Sequence, residues 1–217
     1  MRRAVIAAVL AAGALLSACT ATVAGRGDVG LPAAAPTVPA VPNQPTIPNQ
    51  PAPTVACPNV TDPQAGLAYR CVTAGIARTS DLLWTLNLTK QVEPGWMLGE
   101  GSAAINAPAN APLDRVTELV REQMVELAYW GPNPGVRTLS SAAATVAGVK
   151  AWVLASSFTI NSAYRSQQHL KVRTERTWIV ALRASDTQLA LWYVTLPDDV
   201  QQLWHTVPAL IRSIKLH

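Results

Sequence analysis

Three cysteines, three histidines and a few acidic clusters are the residues of this 217-residue chain whose types could do chemistry. Cys19 ends an apolar stretch and offers a thiol for acylation. Cys57 and Cys71 are spaced to close a loop by oxidation. His169, His205 and His217 stand at no metal-ligand spacing from one another or from a cysteine. The string Gly99-Glu100-Gly101-Ser102-Ala103 lacks the two glycines that a nucleophile elbow places around its serine, because positions 100 and 104 are Glu and Ala. Asp198-Asp199 pairs two carboxylates, but acids at that place suit the positive end of a helix. Glu118, Glu122 and Glu126 read as one solvated helix face. The expectation is a protein without catalytic residues, metal or cofactor, and not an enzyme.

Cys19 follows a leader of recognisable layout. Arg2 and Arg3 supply positive charge, Ala4 to Leu16 is apolar apart from Gly13, and small residues precede the cysteine. The apolar run falls short of the roughly 20 residues that a membrane-spanning helix needs. Leu16-Ser17-Ala18-Cys19 resembles the lipobox of bacterial lipoproteins. The resemblance implies cleavage after Ala18, leaving residues 1–18 as a signal peptide, and a diacylglycerol on Cys19. Stable anchoring takes two membrane-binding signals, and two acyl chains of the palmitate kind supply them. The partner implied is the membrane, and the location is the outer face of the cytoplasmic membrane.

Residues 19–56 cannot build a core. Proline recurs from Pro32 to Pro53, aromatic residues are absent, and Pro42-Asn43-Gln44-Pro45 returns as Pro48-Asn49-Gln50-Pro51. Such a stretch favours polyproline II and acts as a semi-rigid spacer. Extended from Leu31, it reaches on the order of 80 Å at ~3.1 Å per residue. With Cys19 acylated, Cys57 and Cys71 remain as a pair, and outside the cytoplasm such thiols oxidise together. In the chain-entropy model a loop of about 15 residues is stabilised by roughly 3 kcal/mol.

Residues 57–217 make one domain by length. Losing Arg2 and Arg3 with the leader lowers the formal charge from +4 to +2, which does not suit a nucleic-acid binder. Period-two alternation predicts strands near 82–89, 150–160 and 170–183. The nearly continuous apolar run 189–195 predicts a central strand. Helical period places Val116, Leu119, Val120, Met124 and Leu127 on one face, after start signals at Asn110 and Pro112. A second apolar stripe runs from Val200 to Ile214, and Pro208 is expected to interrupt it. Links between the later strands are too short for parallel crossovers. The expected class is α+β: an antiparallel sheet with two main helices packed on one face, a two-layer sandwich.

Leu86-Asn87-Leu88 through Pro94-Gly95-Trp96, the central helix, the strand after Gly148 and the terminal Ser213-Ile214-Lys215-Leu216 resemble PsbP/Mog1-like domains. Actinobacterial lipoproteins of the LpqN type carry such domains behind a Pro/Thr-rich tether. The resemblance covers roughly residues 80–217. It implies a binding or accessory module and hands over no catalytic residue. Two features stand out beside it. Seven Trp accompany a single Phe; Trp96, Trp130 and Trp192 fit the core stripes less well than the others, and Trp96 and Trp130 are candidate contacts for a ligand or partner. Arg165, Lys171, Arg173, Arg176 and Arg183 form a basic set interrupted only by Glu175, and Arg173 and Arg176 are candidate contacts for the same reason. The partner beyond the membrane is expected to be an envelope protein or an apolar small molecule; the alternative functions are a carrier of lipid or another apolar ligand, and an envelope enzyme with no linear motif, its residues converging only in space.

Overall fold

The computed structural model describes residues 59–217. The leader, Cys19, the tether and Cys57 lie outside the described residues. Strands β1 (Asn59–Asp62) and β2 (Leu67–Arg70) form a hairpin, and β3 (Ala77–Thr79) follows. Then come β4 (Leu86–Glu93), β5 (Trp96–Asn106), helix α1 (Leu113–Glu126), β6 (Gly135–Val146) and β7 (Val149–Thr159). A short helix α2 (Ser162–Gln168) leads to β8 (Thr174–Arg183) and β9 (Gln188–Pro197). The chain closes with a 3-10 helix (Asp198–Thr206), helix α3 (Val207–Ser213) and β10 (Lys215–Leu216).

Seven strands form one sheet in the order β3-β4-β5-β9-β8-β7-β6, and β1-β2-β10 form a second. Every strand pair in both sheets is antiparallel. Turn chemistry explains the hairpins. Gly95 takes φ +80 between β4 and β5, and Ala147 and Gly148 take φ +52 and +77 between β6 and β7. Two consecutive positive φ values make a hairpin turn whose twist matches that of the strands. β9 is the middle strand of the seven and is buried along nearly its whole length, as its unbroken apolar run requires.

The large sheet is covered on both faces. Val180, Leu182, Trp192 and Val194 join Leu67, Tyr69, Val207, Leu210 and Ile214 in one core. Ile179, Ala181, Leu191 and Tyr193 join Val116, Val120 and Met124 in the other. Neighbouring residues of β8 and β9 thus point into opposite cores, the alternation that a strand imposes. The α+β class and the antiparallel sheet stand as expected, but the two main helices do not share a face: α1 covers one, and α3 with the small sheet covers the other. The reason is that β9 is apolar on both sides and would leave one side in water under a two-layer plan. Burying Val116, Val120 and Met124 contributes about 1.5–3 kcal/mol each.

Three expected elements shift. The first predicted strand begins at Leu86, because Asp81 Oδ1 accepts the Leu83 and Trp84 N–H groups and turns the chain there; Leu82 is 83% exposed. Strand β8 begins at Thr174, and Leu170 and Val172 belong to the core opposite Val180. The C-terminal stripe is divided into the 3-10 segment and α3, with Pro208 in the first turn of α3, where its missing N–H costs nothing.

Candidate functional site

A cleft of about 300 Å³ opens on the α1 face of the large sheet. Its floor comes from Asn87 and Thr89 on β4, Gly99 on β5, Glu175 on β8, and Tyr193 and Thr195 on β9. Its walls are the Asp81 turn, the Leu127–Gly131 loop after α1, and Tyr164 of α2. Each wall is held by local chemistry. Asp81 fixes its own turn through backbone N–H groups and accepts the Tyr129 hydroxyl at 2.5 Å through Oδ2. Asn161 caps α2, its Oδ1 accepting from the N–H groups of Ala163 and Tyr164 at 3.0 and 3.2 Å. Gly131 has φ +71, and a Cβ there would meet the Tyr164 ring at 2.5 Å, so the loop and α2 pack in direct contact.

The floor depends on glycine as well. A Cβ on Gly101 would lie 2.6 Å from Leu86 O and Tyr193 Cε1. The ring of Tyr193 therefore lies flat along β5, stacked on Trp84 at 4.2 Å with a 26° interplanar angle. Its hydroxyl donates to Asn87 Oδ1. The string of residues 99–102 is thus a strand with glycines toward the cleft and Glu100 and Ser102 toward the other core. It does not hold a nucleophile.

Glu175 is a buried acid on the cleft floor. It is 2% exposed. Oε2 accepts the Trp96 Nε1–H at 2.9 Å, and Oε1 is bonded to Thr195 Oγ1, which the Thr177 hydroxyl also reaches at 3.0 Å. Burial pushes its pKa up to about 8, and the bonds from Thr195 and Trp96 only partly offset that. At neutral pH the neutral acid is the dominant form. On the opposite face Glu100 is likewise pushed to about 8 by burial. Its Oε2 accepts the Val72 N–H at 2.8 Å, and the Trp192 indole stands beside the carboxyl. Beside it Asp62 accepts from Thr85 and Ser102, both at 2.7 Å. That second cluster ties the small sheet to the large one and is not part of this cleft's lining.

The sequence-derived candidates divide. Trp96 and Trp130 are brought together at the cleft, but mostly as packed side chains: Trp96 is 6% and Trp130 1% exposed. Trp130 stacks on Phe158 at 3.5 Å. Arg173 and Arg176 do not join them. The Arg176 guanidinium lies 3.8 Å over the Trp204 ring, and Arg173 is an exposed residue whose backbone N–H is held by Asp198. Cys71 is buried at the end of β2, and its expected partner Cys57 lies outside the described residues, as does Cys19. Sequence reasoning missed Asp81, Tyr129, Tyr164 and Tyr193. Glu175 had shown itself only as a break in a basic run. It shares its phase with Lys171, Arg173 and Arg183, opposite the apolar stripe of its strand, so the alternation gave no signal of its burial.

No group of three or more His, Cys, Asp and Glu gathers as a metal site among the described residues. No described helix is long and apolar enough to cross a membrane.

No protein-family model matches the sequence, and no curated protein matches it either. Solved structures do. The crystal structure of LpqN, involved in cell envelope biogenesis of Mycobacterium tuberculosis, matches at TM-score 0.42 and 12% identity, over 60% of this chain and 70% of that one. Cyanobacterial PsbP from Synechocystis matches at TM-score 0.44 and 12% identity, over 75% of this chain and 94% of that one. A Pseudomonas aeruginosa protein described as a putative regulator matches at TM-score 0.37 and 11% identity, over 71% of this chain and 91% of that one. The chain's own strand order and helices place it in the α+β class.

Proposed function

We propose that this chain is a non-catalytic binding module of the cell envelope. It is held on the outer face of the cytoplasmic membrane by lipid on Cys19, stands off the bilayer on its Pro-rich tether, and takes a small, partly apolar ligand in the cleft above Trp96 and Glu175. The observation that carries the reading is the cleft itself. Apolar and polar groups converge there, and two of the most exposed large apolar side chains, Met97 and Leu127, stand in its lining. Small-molecule sites share that composition. Their volumes run from about 300 to 1,000 Å³, so a cleft at the lower bound suits one ring or one headgroup and not a lipid with two chains. The Cys57–Cys71 bridge belongs to the same reading, pinning the end of the tether to the body. Two alkylated cysteines in the unfolded, unreduced mature chain would refute the bridge.

One observation favours a catalytic reading: a carboxyl group in a cleft, raised toward neutrality, has the profile of a general acid. Against it, both Glu175 oxygens are already engaged by Trp96 and Thr195. The binding reading is tested by a ligand-detected NMR fragment screen on the full mature chain carrying Cys19→Ser. Aromatic fragments are expected to bind and to be lost in Thr89→Trp, whose indole fills the cleft floor. A screen without binders, or with binders indifferent to Thr89→Trp, overturns it.

A further inference from the structure

The cleft has a one-sided charge pattern. The ionisable groups in its lining are Asp81, Glu175 and the phenols of Tyr129, Tyr164 and Tyr193; no Lys, Arg or His lines it among the described residues. The formal charge of the chain without Arg2 and Arg3 is +2, so the acidic lining runs against the overall balance. Tyr129 is held well above the ordinary range by burial first and then by the Asp81 carboxylate beside it. An anionic ligand would meet only acids here. A cation would meet a carboxylate and the negative faces of aromatic rings, two attractions that grow where water is excluded.

Asp81 is already positioned for such a role. Its turn is fixed by the Leu83 and Trp84 N–H groups and by the Tyr129 hydroxyl, so no side-chain ordering remains to oppose binding. Tyr129 and Tyr164 are half-buried and both line the cleft. Met97 and Leu127, 42% and 38% exposed, add apolar surface to the same lining. We infer that the cleft selects an organic cation: an ammonium group on an apolar or aromatic skeleton. The charge is held between Asp81 and the Tyr129 and Tyr164 rings, and the skeleton rests against Met97 and Leu127. This rests on the reading of the cleft as a ligand site.

Three probes of matched shape test it: benzyltrimethylammonium, benzyl alcohol and benzoate. They are titrated by calorimetry into the full mature chain carrying Cys19→Ser. The cation is expected to bind at least about tenfold more tightly than the alcohol, with benzoate weakest; tenfold corresponds to about 1.4 kcal/mol. Asp81→Asn keeps an acceptor for the Leu83 and Trp84 N–H groups and should bring the cation-to-alcohol preference close to unity. In the unsubstituted cleft, raising NaCl from low to high concentration should weaken the cation several-fold and leave the alcohol unmoved, a readout that needs no variant to fold. Equal affinity for cation and alcohol, or salt-independent cation binding, overturns the cation inference and leaves the ligand cleft standing. Binding of none of the three overturns the inference, and the fragment screen then decides whether the cleft reading falls with it.

Discussion

Glu175 and Glu100 sit on opposite faces of one sheet, and both are buried acids whose pKa is raised to about 8. The folded state therefore holds protons that the unfolded chain releases in the ordinary carboxylate range. Between that range and about pH 8 the folded form binds more protons, so stability falls as pH rises through the window. This is the reverse of a salt-bridged carboxylate. Around Glu175 stand Trp96, Thr195 and Trp130, with Asp198 as the nearby charge that adds to the rise; around Glu100 stand the Val72 N–H and Trp192. Thermal melting of the mature chain should drop from pH 5 to pH 9. Glu175→Gln, which cannot ionise, should flatten that slope and stabilise the protein most at the alkaline end. A slope unchanged in Glu175→Gln, or melting that rises with pH, would contradict the assignment.

At the scale of elements, the segment from Pro197 to Ile214 shows how one side chain can serve two places. Asp198 opens the 3-10 helix, the position expected for an acid near a helix start. Its carboxylate reaches back to β8, accepting from the N–H groups of Arg173 and Thr174 at 3.1–3.3 Å and from the Thr174 hydroxyl at 3.3 Å. It thereby fixes where β8 begins, one residue before Glu175 and at the base of the cleft. Asp198→Ala should cost about 1–2 kcal/mol in urea unfolding, the range for charge-assisted bonds to backbone N–H groups. A loss below about 0.5 kcal/mol, typical of an ordinary surface substitution, would show that the strand start is held otherwise. Arg176 belongs to the same region. Its guanidinium over Trp204 joins β8 to the 3-10 segment on the face away from the cleft, which explains why the basic set found in the sequence is not part of the site.

For the whole molecule, the anchor and the domain are separate claims. Cys19→Ser expressed in an actinobacterial host should move the protein from salt-washed membranes to the soluble fraction, because no described helix can span a bilayer. A variant that stays with the membrane would refute lipid anchoring through that thiol. What the sequence determined by itself were features carried by local chemistry. The Pro94-Gly95 turn follows from the need for a positive φ, whereas the leader and Pro-rich tether are expectations from composition that lie outside the described residues. Helix α1 comes from its apolar period, the break near Pro208 from a missing N–H, and the central place of β9 from an unbroken apolar run. Strand β6 was not legible, because Ser140 to Thr145 are small residues exposed on an edge and carry no alternation. Helix α2 was not legible either, since Asn161 offers the same side-chain acceptor to a turn and to a helix cap. Only tertiary structure decided that the two main helices lie on opposite faces. Tertiary structure also brought Asp81, Tyr129, Tyr164 and Glu175 to one cleft. These residues come from four elements far apart in the chain, and their proximity is set by sheet register and by glycines that let aromatic rings lie against the backbone, neither of which leaves a periodic trace in sequence.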